Sequence, residues 1–252
     1  MTSIRLLVIN PNSSKSVTDG LEEVLKPPPQ TGLVFYTAPE NAPPSINDMV
    51  TANLTATACF LDIQEKKLLD QYDGFLVCCC EYLLSQIDSV KRSGRGGIIV
   101  SDHPLTHMLR ETTPKPTIGI FEAAITQALL LGKRFGIVTT GTGYKADIHK
   151  GVQAFMGGYS QRFAGMVTTG LGVVELREGD RQKIEANMKK YSGKIALEGA
   201  DVILLGCAGM AGMESLVIQG AAEADPTAAP VRVVDGAKAG VEMLAGLVRF
   251  CA

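Results

Sequence analysis

Asp201-Val-Ile-Leu-Leu-Gly-Cys-Ala-Gly-Met210 decides how this chain is read. Four apolar residues run without interruption into Gly206, Cys207, Ala208 and Gly209. A continuous apolar run closed by small residues predicts a buried strand of a parallel sheet that ends in a turn. Open α/β sheets bind ligands beyond the carboxyl ends of such strands. A thiol delivered there, between glycines that let another group come close, points to chemistry. A lone cysteine more often packs as a small, inert hydrophobe. A helix opening after Cys207 would lower its pKa and tilt the balance towards a reactive thiolate.

Working outward, apolar strand-like runs at 4–9, 32–36, 74–79, 117–120, 135–140, 165–174 and 231–234 flank this stretch. Helical periodicity fills the intervals, notably about 46–71, 121–131, 180–197 and 237–250. Strands alternating with helices predict parallel sheets. Two halves look alike in organisation: each has a strand ending in cysteine (Cys79, Cys207) and a strand ending in hydroxyl or amide residues (Asn10–Ser14, Thr139–Thr142). No residue-by-residue repeat is visible. The expected division is 1–116 with 231–252 as one domain and 117–230 as the other.

The chain has 252 residues, 46% hydrophobic and 20% charged, with a net charge of −2. That is an ordinary globular balance, without the basic footprint of a nucleic-acid or anionic-membrane binder. No apolar run reaches the length of a membrane span and no basic leader precedes the first strand, so a cytoplasmic setting is expected. Six cysteines and three histidines show no metal-ligand spacing, which argues against structural zinc. Serine-hydrolase and zinc-protease signatures are absent as well.

Other motifs have bland readings beside functional ones. Of Cys78-Cys79-Cys80, strand alternation turns Cys79 away from its neighbours, and two of the three read as core thiols. Thr139-Thr-Gly-Thr-Gly143 could hold an anion on backbone amides, but it lacks the lysine of a P-loop. Asn10-Pro-Asn-Ser-Ser14 also reads as a capping turn, and His103 reads as a surface histidine, with Ser101 or Asp102 capping the helix after it.

Taken in order, Ile9-Asn-Pro-Asn-Ser-Ser14, Gly119-Ile-Phe-Glu-Ala-Ala124, Val138-Thr-Thr140, Leu205-Gly-Cys-Ala-Gly-Met210 and Val234-Asp-Gly236 resemble the aspartate/glutamate/hydantoin racemase superfamily, most closely its hydantoin and allantoin racemase branch. The likeness covers nearly the whole chain. It implies an α/β fold of two similar three-layer domains with parallel sheets and an active site in the cleft between them. It further implies catalytic Cys79 and Cys207, with Cys78 the rival of Cys79, and no cofactor or metal. Asn10, Ser13, Ser101, Thr139, Thr140, Gly206, Ala208 and Gly209 become candidate substrate-binding residues. The substrate is a small molecule, with neither nucleic acid nor membrane as partner, and a homo-oligomer is implied. Where the family continues straight from its first cysteine, this chain carries residues 80–100, whose basic, glycine-containing composition reads as inserted sequence.

The implied reaction is racemisation of a hydantoin-type ring by two thiols, one acting as base on one face of the α-carbon and one as acid on the other. Related carbanion reactions (decarboxylation, cis–trans isomerisation) and a binding protein without catalysis, its first cysteine loop interrupted, are the alternatives.

Overall fold

The computed structural model describes residues 3–79, 103–142 and 146–252. β1 (Ile4–Asn10) leads through α1 (Lys15–Val24), β2 (Thr31–Thr37), α2 (Met49–Glu65) and the short α3 (Leu68–Gln71) to β3 (Gly74–Val77). Then come α4 (Pro104–Thr112), β4 (Thr117–Gly119), α5 (Ile120–Leu131), β5 (Phe135–Thr139), α6 (Ala146–Phe155) and β6 (Phe163–Thr168). The chain finishes with α7 (Glu175–Glu178), α8 (Arg181–Leu197), β7 (Val202–Leu205), α9 (Glu214–Ala224), β8 (Arg232–Asp235) and α10 (Gly236–Cys251).

The strands form two parallel four-stranded sheets, ordered β2-β1-β3-β4 and β6-β5-β7-β8. β3, β5 and β7 are uninterrupted apolar runs because both faces of each sheet are covered, and every residue in them is buried. Leu7, Ile9, Phe75 and Val77 point into an outer core under α2 and α4, and Leu6, Val8 and Leu76 point the other way. The latter join Phe135, Ile137, Val202 and Leu204 of the second sheet in a central core that also takes up α5 and α10. A third core, with Val138, Ile203, Leu205 and Met188, lies under α8 and α9. Each fully buried large side chain in these layers contributes about 1.5–3 kcal/mol of transfer free energy.

The central strand pair of the second sheet, β5 and β7, matches β1 and β3 of the first in register, a residue-level match not visible in the sequence. Ile9 is level with Val77, and Val138 is level with Leu205. The Arg5 amide donates to the Asp73 carboxylate at 2.7 Å, and the Arg134 amide donates to Asp201 at 2.8 Å. Beyond the strands, Cys78 N–H donates to Ile9 and Gly206 N–H to Val138, both at 2.8 Å. Cys79 and Cys207 therefore occupy matching places, each two residues past its strand.

The sheets divide the chain differently from the expected boundaries. β4 completes the first sheet, although residue 117 was expected to open the second domain. β8 completes the second sheet, although 231–234 was assigned to the first. The helices after these strands cross over: α5 packs on β7 and β8, while α10 packs on β3 and β1, and the two helices pack on each other.

Smaller expectations also shift. The helical stretch 46–71 breaks after Glu65, where Lys67 adopts a positive φ of 53°. β6 starts at Phe163, whose ring meets Phe135 at 5.4 Å, and Gly165 (φ 125°) marks a register shift within it. The helix expected near 81–90, the inserted stretch 80–100, Ser101, Asp102 and Gly143 lie outside the described residues.

Candidate active site

The carboxyl ends of the two sheets bring the cysteines of β3 and β7 to corresponding positions. Cys78 is 3% exposed and belongs to the central core. Burial pushes its thiol well above the ordinary range, and the charge of Asp235 pushes in the same direction. Cys79, the next residue, is half-buried. A thiol that is to shuttle protons must reach both its substrate and its thiolate form, and Cys79 is better placed for this than Cys78.

Cys207 is half-buried too. Cys207 opens a single 3-10 turn, Ala208–Met210, and the helix that follows it, α9, begins at Glu214. The turn is closed by Met210 N–H donating to the Cys207 carbonyl at 2.9 Å. Gly206 lets this corner lie flat on β5: a Cβ there would stand 2.8 Å from Ile137 Cγ2 and 3.0 Å from the Val138 carbonyl. Thr139 Oγ1 donates to the Gly206 carbonyl at 3.0 Å, fixing the residue before the thiol. Ala208 and Gly209 are buried inside the turn, Gly209 against Val173, and Thr140 is 8% exposed just past β5.

The first half has a more closed counterpart. Asn10 is fully buried, and its Nδ2 donates to the Ser14 carbonyl (2.9 Å) and to Thr18 Oγ1 (3.0 Å). Its Oδ1 accepts from Asn12 N–H, while Asn12 Oδ1 accepts from Ser14 N–H. Ser13 donates from Oγ to the Ala42 carbonyl and from its amide to the Pro43 carbonyl. The amides of residues 12, 13 and 14 are thus engaged within this half, so this loop acts as a rigid wall.

His103, expected at the surface, is fully buried. Its Nδ1 accepts from Leu105 N–H and so caps α4, with Pro104 as the first helical residue. Nε2 consequently carries the proton and donates to Thr55 Oγ1 at 3.0 Å. Burial lowers the imidazole's pKa to about 3.

Two groups at the site had no role assigned from the sequence, although Asp235 lies in the Val234-Asp-Gly236 motif. Asp235, 6% exposed, caps α10 by accepting from Ala237 and Lys238 and also accepts from Gly212 N–H. Burial raises its pKa. The signal for it was an Asp at a strand end before a helix-opening Gly-Ala pair. Arg177 lies in the four-residue α7, too short to show periodicity, and reaches back to the Cys207 turn. Among the described residues no group of three or more His, Cys, Asp or Glu side chains could hold a metal ion, and no helix is long and apolar enough to cross a membrane.

The family match and the hydantoin racemase relatives identify a racemase, an enzyme of the isomerase class. The chain belongs to the Asp/Glu/Hydantoin racemase family, whose model matches residues 6–244. It is 36% identical over 250 residues to the uncharacterized protein C1F7.10 of Schizosaccharomyces pombe, covering 98% of this chain and 93% of that one. It is 27% identical over 248 residues to hydantoin racemase of Pseudomonas sp. NS671, covering 97% and 86%. Its fold is similar to that of allantoin racemase from Klebsiella pneumoniae, with a TM-score of 0.78 at 24% identity over 99% of this chain and 89% of that one.

Proposed function

We propose that this chain racemises hydantoin-type rings, allantoin or a 5-substituted hydantoin, by passing protons between the ring's α-carbon and two cysteines, Cys79 and Cys207. One observation carries the reading: the two thiols occupy equivalent positions in a repeated sheet pair, and α1, which follows β1, packs on the turn that Cys207 opens. Racemisation needs that symmetry, because a proton leaves one face of the carbon and another arrives on the opposite face.

The α-proton is acidified by the neighbouring ring carbonyl, which takes up the charge as an enolate. One cysteine, as thiolate, removes the proton while the other, as thiol, supplies one, and the roles exchange for the other enantiomer. Holding both thiols and the ring in a fixed array contributes through proximity. Thr139, Thr140, Gly206, Ala208 and Gly209 support the Cys207 side of the cleft, where backbone amides are suited to a carbonyl or enolate oxygen. Asn10 and Ser13 shape the facing wall, and Ser101 completes the proposed binding set. No metal or organic cofactor enters the scheme. A homo-oligomer acting in the cytosol is part of the same proposal.

The test is optical rotation of single enantiomers of allantoin and a panel of 5-substituted hydantoins. Decay to zero rotation by the native protein, and none by Cys79→Ser or Cys207→Ser, is the expected result. Undiminished racemisation by either variant overturns the two-thiol reading.

A further inference from the structure

Arg177 projects from α7 against elements of both halves. Its Nη2 donates to the Ala211 carbonyl at 3.1 Å, at the end of the short turn that Cys207 opens. Its guanidinium lies over Gly20 of α1, where a Cβ would fall 2.6 Å from Cζ and 2.8 Å from Nη1. Gly20 is a buried residue in the middle of a helix, where glycine is a poor choice unless something needs the space. Here the guanidinium takes that space. The Nε–H is buried and has no hydrogen-bond partner among the described residues. A buried donor without an acceptor is costly unless an opposite charge lies nearby.

We propose that Arg177 is a positioning residue for Cys207: it ties down the turn that carries the thiol and stabilises the thiolate with its charge, in a slot that Gly20 leaves open. This rests on the assignment of Cys207 as one of the two proton carriers. The ionisable groups whose charge acts on the guanidinium are Cys207, Glu23 of α1 and Asp235 at the end of β8. Burial lowers the guanidinium's pKa, and all three of these groups act in the opposite direction. Arginine stays protonated throughout the working range, so the cation is permanent, while Cys207 is the partner that gains and loses charge during turnover. A cation beside a cysteine increases its thiolate fraction at neutral pH, which a proton carrier needs. The Gly20 slot also makes this support depend on the packing of α1 against α7, so the two halves must be docked for it to operate.

The test follows iodoacetamide alkylation of Cys207 across pH by peptide mass spectrometry, with Cys79 read in the same digest. Arg177→Gln is expected to move the Cys207 midpoint up by about one pH unit, the scale of one charge close by in a partly screened site. Arg177→Lys should restore most of the shift, and the Cys79 midpoint should stay where it is. Gly20→Ala, which dislodges the guanidinium while improving the helix, should raise the Cys207 midpoint without lowering Tm; it serves as the second variant where Arg177→Gln folds poorly. An unchanged Cys207 midpoint in folded Arg177→Gln or in Gly20→Ala overturns the inference, as does a lysine variant that shifts as far as glutamine. Because alkylation needs no ring substrate, a chain inactive on hydantoins would refute the proposed function and leave this result legible.

Discussion

Replacing His103 with asparagine should remove most of an acid sensitivity built into the α2–α4 junction. In the folded protein the buried imidazole has a pKa of about 3, against an ordinary value of 6.5. The unfolded chain therefore binds the extra proton first. Stability from this residue is fully present above pH 6.5 and is lost as pH falls from 6.5 towards 3. At pH 5 the unfolded histidine lies 1.5 units past its midpoint while the folded one is still neutral, which costs about 2 kcal/mol at about 1.4 kcal/mol per unit. The figure stays at about 2 kcal/mol for any folded value below roughly 4. Against a total stability of about 5–15 kcal/mol, that is readily measured. His107 and His149 are also lowered by burial, but they contribute to both proteins alike. Asparagine can still cap α4 and loses the bond to Thr55, so the variant should be less stable than the native protein at pH 8 by about 1–3 kcal/mol. Urea titrations at pH 8 and pH 5 should show that gap closing by about 2 kcal/mol. A gap of equal size at both pH values would refute the neutral, Nε2-protonated histidine.

Gly206→Ala should lower stability by about 1–3 kcal/mol, because the added methyl meets Ile137, Thr139 and the β5 backbone; the urea midpoint reports the loss, and racemisation should fall with it as Cys207 is pushed out of place. Cys78→Ser should keep its racemase activity while losing about 1–3 kcal/mol, since a hydroxyl enters the buried hydrophobic core; a dead but folded Cys78→Ser, with Cys79→Ser active, would move the first catalytic role by one residue.

What the sequence disclosed and what it hid have separable physical causes. The run Val202–Leu205 is legible as a strand because a parallel strand covered on both faces keeps no polar residue. The matching of the halves is hidden because most equivalent positions differ chemically. Asn10 corresponds to Thr139, Cys78 to Gly206 and Gly119 to Asp235. The Arg5–Asp73 and Arg134–Asp201 contacts and the two cysteines recur, but loops of unequal length separate them. The crossing of α5 and α10 onto opposite sheets misled the domain boundaries, because helix packing leaves no local mark in the sequence. His103 looked superficial for the same reason: its partner Thr55 reaches it only in the fold. Arg177 is invisible because its role is set by a glycine more than 150 residues earlier.

The central claim is that two thiols serve opposite faces of one carbon, and solvent-isotope tracing during turnover tests it most directly. A single enantiomer of the preferred ring is converted in deuterated water, and both enantiomers are recovered early in the reaction for NMR. The account predicts deuterium at the α-carbon of the newly formed enantiomer, protium in the recovered starting enantiomer, and no inversion with Cys207→Ser. Deuterium accumulating equally in the recovered starting enantiomer, or inversion persisting in Cys207→Ser, would contradict it.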